Sequence, residues 1–176
     1  MNKKEVRREV RARVLAINEE VKKQKSLMLS FTLAMHPRVR DAEVVALFSP
    51  LPDEPQIGEL FSVLSKERKV VLPRVEGDVM HFYSYSPEEI QEGAFGIMEP
   101  CGDEAVAPEV IDVILVPGVA FTSKGLRMGR GKGYYDKYMS QQGFRAYKIG
   151  VCYDEQMLPT LPVAPHDICV DEVLSR

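Results

Sequence analysis

The chain has 176 residues, 45% of them hydrophobic and 28% charged, and carries a formal net charge of −3. That is the size of one domain and the composition of an ordinary globular protein. It excludes a general polyanion binder, which is basic overall, and no apolar run approaches the ~18 residues that span a bilayer.

The first residues, Met1-Asn2-Lys3-Lys4-Glu5-Val6-Arg7-Arg8, have charges but no apolar segment behind them, unlike a secretory signal. Cys101, Cys152 and Cys169 are scattered, odd in number and outside any Cys-x-x-Cys pair, which fits a reducing compartment. A cytoplasmic chain is therefore expected. His166-Asp167-Ile168-Cys169 has no second pair at zinc-finger spacing, so Cys169 reads as a small buried apolar residue.

Val6, Val10, Val14 and Ile17 recur at helical spacing over residues 3–18. A second helix over 19–35 takes its apolar face from Leu27, Leu29, Phe31, Leu33 and Met35, and His36-Pro37 ends it. Strand-length apolar runs follow at 44–48, 70–72, 79–83, 111–116 and 147–151, with a shorter one at 168–170. Helices are expected between them at 56–67, where Ile57, Leu60, Phe61 and Leu64 share a face, and at 134–142. The Pro- and Gly-rich segment 86–110, which includes Gly96 and Cys101, reads as an irregular surface excursion. The alternation predicts a single α/β domain over 1–176. Its sheet is largely parallel and covered by helices, in a Rossmann-like three-layer arrangement.

Cations crowd the first ~25 residues and the 124–137 segment, so a local anion site is expected rather than a nucleic-acid surface. Residues 116–136 read VPGVAFTSKGLRMGRGKGYYD. They follow an apolar strand, where ligands of open α/β sheets bind. The glycines let backbone N–H groups approach an anion, a helix starting near Tyr134 adds its dipole, and Arg127, Arg130 and Lys132 supply charge. A Walker A loop is absent, since Gly133 follows Gly131-Lys132, and the spacing after Gly129-Arg130-Gly131 departs from the dinucleotide fingerprint.

Pro117-Gly118-x-x-Phe121, then Gly125-x-Arg127-x-Gly129-Arg130-Gly131-x-Gly133-Tyr134-Tyr135-Asp136, resembles the signature of 5-formyltetrahydrofolate cyclo-ligases. Lys3-x-x-Val6-Arg7, Asp53-Glu54, Leu72-Pro73-Arg74, Glu99-Pro100, Asp154-x-Gln156 and His166-Asp167 extend the resemblance over nearly the whole chain. Three positions depart from the pattern: Ile57 stands for a Thr, Thr122 for an Asp and Met128 for a Leu.

The resemblance implies ATP- and Mg²⁺-dependent closure of 5-formyltetrahydrofolate to 5,10-methenyltetrahydrofolate, with release of ADP and phosphate. The chain is expected to act as a monomer on small molecules, without nucleic acid or membrane. It implies ATP contacts at Lys3, Arg7, Arg127, Gly129, Arg130, Gly131, Lys132, Gly133 and Tyr135. Arg130, Lys132 and Tyr134 carry catalysis; Phe48, Glu54 and Tyr134 hold the folate; Asp136 and Asp167 bind the metal. Arg74 is open between a phosphate contact, the glutamate tail of the folate and an exposed strand-end arginine. The alternatives are a phosphate-ligand-binding protein of sugar-phosphate isomerase type and an RNA-binding module using the basic N-terminus and Arg127–Lys137.

Overall fold

The computed structural model describes residues 1–93, 98–100 and 102–176; Gly96 and Cys101 lie outside them. The helices are α1 (Lys3–Leu15), α2 (Glu19–Met35), α3 (Pro37–Asp41), α4 (Glu59–Ser65) and α5 (Tyr134–Ser140). The strands are β1 (Val44–Ala46), β2 (Lys69–Glu76), β3 (Val79–Ser84), β4 (Ile90–Glu92), β5 (Met98–Pro100), β6 (Val113–Val116), β7 (Ala120–Phe121), β8 (Arg127–Met128), β9 (Tyr147–Cys152) and β10 (Glu172–Ser175).

The main sheet has the order β10-β9-β6-β1-β2-β3, parallel throughout except for the β2–β3 pair. Its strands are apolar on both faces because both are covered. Val45, Leu47, Val70, Leu72, Val113, Leu115, Ile149 and Val151 point to one core, with α2, α3 and α4. Their neighbours Ala46, Val71, Ile114, Val116 and Cys152 point to the other, with Tyr138 and Met139 of α5. A third cluster, Val6, Val10, Val119, Ala120, Met128 and Leu161, docks α1 on the short β7–β8 hairpin.

Local chemistry sets the boundaries. Asn2 and Glu5 form a capping box on α1. His36 ends α2, and its Nδ1 accepts the Arg38 N–H at the start of α3, with Pro37 in the first turn. Pro73 is tolerated inside β2 because β1 pairs only as far as Val71, so the missing N–H faces no partner strand on that side.

Asp112 accepts the N–H groups of Glu43 and Val44 and a bond from Arg145, which joins the starts of β1 and β6. Burial works against its charge, but those donors win, and its pKa lies below the ordinary carboxylate value.

Four expectations need correction. On α2, Leu29 and Leu33 are buried, whereas Leu27, Phe31 and Met35 are exposed; Lys22, Ser26 and Ser30 complete the inner face. Alternate residues of a helix lie ~200° apart, so the five apolar residues cannot form one stripe. Residues 168–170 form no strand; β10 starts at Glu172, beside Ile149. Cys169 is exposed, whereas Cys152 is buried. The 86–110 excursion is partly regular, since β4 and β5 pair antiparallel.

Leu33→Ala should lower the free energy of unfolding by about 2–5 kcal/mol, while Phe31→Ala, at 71% exposure, should shift it by no more than about 0.5 kcal/mol. Denaturant titration of both variants checks which stripe faces the core.

Candidate functional site

β1 continues through α4 on one face of the sheet, and β6 through α5 on the other. Adjacent parallel strands whose connections diverge leave a crevice beyond their carboxyl ends. A cavity of about 620 Å³ lies there, lined from the β1 side by Phe48, Leu51 and Glu54 and from the β6 side by Pro117 and residues 127–136. Pro73 and Val75 of β2 and Met80 of β3 add apolar wall, and Glu99 of β5 adds a carboxylate.

Lys3, Arg7 and Arg11 of α1 line the same cavity. Spaced four apart, they form one stripe of the helix, and the valines of α1 hold that stripe over the loop. Arg7 Nε donates to Gly129 O at 2.8 Å, and Lys3 Nζ lies 2.7 Å from Asp167 Oδ2. Arg7 therefore reaches the glycine loop and Lys3 reaches Asp167, two meetings the linear sequence does not reveal. Arg11 is a cation that sequence reasoning missed, although its position four residues beyond Arg7 was an available signal.

The glycine loop turns through left-handed backbone at Gly131 (φ 110°) and Gly133 (φ 73°), conformations that favour glycine. Gly133 caps α5 without a side-chain bond, and α5 is seven residues long. Arg127, 8% exposed, donates from Nε to Pro117 O at 2.7 Å and stacks 5.2 Å from the centre of the Tyr135 ring. Burial pushes its pKa below the ordinary arginine value, with Asp136 pulling the other way. Lys132 is exposed at the cavity edge. Tyr134 donates to Gly77 O at 3.3 Å.

Arg130 lies between two carboxylates. Its Nη1 and Nη2 reach Asp53 at 3.1 and 2.5 Å, and its Nε and Nη2 reach Glu54 Oε1 at 3.2 and 3.0 Å. Burial lowers the Arg130 pKa, but the Asp53 bonds and the Glu54 charge outweigh it and raise the value. Glu54 is pushed up by its own burial, which exceeds the opposing effects of the Leu51 N–H and Arg130. Phe48 belongs to the core and shows only an edge to the cavity.

Asp136 Oδ1 accepts the Ile168 N–H at 2.9 Å, and Asp167 Oδ2 accepts the Ala164 N–H at 2.7 Å. Burial works against the charge of Asp167; its Lys3 and Ala164 bonds prevail and lower its pKa. No group of three or more His, Cys, Asp or Glu residues able to hold a metal occurs among the described residues. Two carboxylates suit a cation that takes its other ligands from substrate oxygens and water, as Mg²⁺ does.

Arg74 stands away from the cavity. It donates to Pro100 O and Gly102 O, pairs with Glu76 and lies 3.7 Å over the Tyr83 ring, so it anchors the chain after β5. Ile57 is fully buried core, and Thr122 Oγ1 accepts the Leu126 N–H across the β7–β8 turn. A neutral acceptor thus does the turn-closing work at that position.

The 5-formyltetrahydrofolate cyclo-ligase family model matches residues 1–176. The chain belongs to this family of ligases. The mouse 5-formyltetrahydrofolate cyclo-ligase is 30% identical over 98% of this chain and 92% of its own length. The solved 5,10-methenyltetrahydrofolate synthetase of Aquifex aeolicus superposes with a TM-score of 0.90 at 38% identity, covering 99% of this chain and 90% of that one. The Mycoplasma pneumoniae synthetase, at 24% identity and a TM-score of 0.77 over 98% of both chains, shares the fold. No helix among the described residues is long and apolar enough to cross a membrane.

Thr122→Val removes the acceptor of a part-buried N–H and should cost about 1 kcal/mol of stability, whereas Thr122→Ser should retain most of it. Thermal unfolding of the two variants checks this.

Proposed function

We propose that this cyclo-ligase closes 5-formyltetrahydrofolate to 5,10-methenyltetrahydrofolate, consuming ATP and releasing ADP and phosphate. The observation that carries the proposal is the meeting of Lys3, Arg7, Arg127 and Lys132 with Glu54 in one cavity. One wall is cationic; the other offers a buried carboxylate and apolar surface.

The N5-formyl group is an amide whose oxygen leaves poorly. Transfer of the γ-phosphoryl group to that oxygen makes it a leaving group, N10 attacks the carbon, and phosphate departs. No protein nucleophile is needed, and catalysis rests on positioning and charge. In this reading Lys3, Arg7, Arg127 and Lys132 hold the phosphates with the backbone of Gly129, Gly131 and Gly133, and Tyr135 backs Arg127. Glu54 accepts folate ring N–H groups beside Phe48, and Tyr134 orients the formyl group. Arg130, already seated on Glu54, lies where the two substrates meet and serves the phosphoryl transfer from there.

Asp136 and Asp167 would hold Mg²⁺. Bound there, the ion neutralises phosphate charge. The stripe on α1 lines the cavity, with Lys3 and Arg7 half-buried there, which favours small-molecule substrates over RNA or a membrane. We place the reaction in the cytoplasm and assign it to a monomer.

Purified protein mixed with Mg·ATP and 5-formyltetrahydrofolate should generate the absorbance of the methenyl product; folded protein that yields none overturns the proposal. Lys132→Ala removes a charge-assisted phosphate contact and should lower kcat/KM for ATP roughly 10- to 100-fold with the fold intact. Initial rates at varied ATP measure it.

A further inference from the structure

Gln156 is 2% exposed in a 3₁₀ turn (Asp154–Gln156) after β9, outside the lining of the cavity. A buried amide is costly unless its donors and acceptor are paired. Here they are: Nε2 donates to Gly118 O at 2.8 Å and Val119 O at 3.1 Å, and Oε1 accepts the Tyr153 N–H at 2.9 Å. Gly118 follows Pro117, whose carbonyl accepts Arg127 Nε. Val119 N–H donates to Met128 O, so the hairpin holds one side of this corner and Gln156 the other.

Tyr153, fully buried, reaches the opposite way. Its hydroxyl donates to Glu54 O at 3.2 Å and lies 3.4 Å from Ser26 Oγ, which accepts the Gln56 N–H. The loop after β1 is thereby fixed next to the residue that presents the carboxylate. Leu51 N–H donates to that carboxylate at 2.9 Å.

We infer that residues 153–156 are a two-armed positioning element: Tyr153 sets Glu54 and Gln156 sets Arg127, so one turn fixes the distance between the folate wall and the phosphate wall. The inference rests on the cyclo-ligase reading for its substrates, but the coupling belongs to the ligand-free protein. Neither residue touches the cavity, so both act through others.

The test uses two uncharged variants. In Gln156→Met the Arg127 Nε–H, followed by NMR, should exchange with solvent roughly tenfold faster, while the Leu51 amide keeps its wild-type rate. Tyr153→Phe should do the reverse. Steady-state rates should divide in the same way: Gln156→Met lowers kcat/KM for Mg·ATP, and Tyr153→Phe raises KM for 5-formyltetrahydrofolate.

If both exchange signals stay at wild-type rates in the folded variants, or both rise together with global stability loss, the positioning inference is overturned even where wild-type protein catalyses ring closure. If wild-type protein forms no methenyl product, the functional reading fails, and the exchange pattern still decides the coupling.

Discussion

β1 and β6 are neighbours in the sheet and send their following helices to opposite faces, and the gap this leaves is the constraint on which the cavity depends. The strands cannot close it, because Val45, Leu47, Val113 and Leu115 are committed to one core and Ala46, Ile114 and Val116 to the other. A one-residue slip would exchange every one of those side chains between cores. Asp112 holds the two strands in register at their amino ends, so the loops at their carboxyl ends begin from fixed points.

Across the gap, charge is sorted. Glu54 and Asp53 stand on the β1 side, and Arg127, Arg130 and Lys132 come from the β6 side. Arg130 spans the two, and its partner Glu54 is itself held by the Leu51 N–H. A chain of net charge −3 can thus bind an anion, because placement and burial, not the total, set the local field. α1 contributes from outside the sheet: its valines bury against β7 and β8, and Lys3 and Arg7 face the loop as a consequence.

Much of this was legible in the sequence because the signals were local. Apolar runs without alternation in 111–116 and 147–151 mark strands with two buried faces, and the glycine–cation string carries its own backbone requirements. The inner face of α2 was not legible, since Leu27, Phe31 and Met35 match the hydrophobicity of Leu29 and Leu33 and only tertiary packing over Ser26 and Ser30 separates the stripes. The restraint of Arg130 by Asp53 and Glu54 spans more than 70 residues of chain and leaves no spacing to read. Gln156 and Tyr153 act entirely through bonds to distant backbone.

Under the proposed function, the crevice between β1 and β6 holds two substrates on walls of opposite character. A crystal structure with 5-formyltetrahydrofolate and a non-hydrolysable ATP analogue tests it most directly. The triphosphate should lie against Lys3, Arg7, Arg127 and Lys132, with the folate ring at Glu54 and Phe48. A triphosphate seated on the Glu54 side, or either ligand bound outside the crevice, would contradict it.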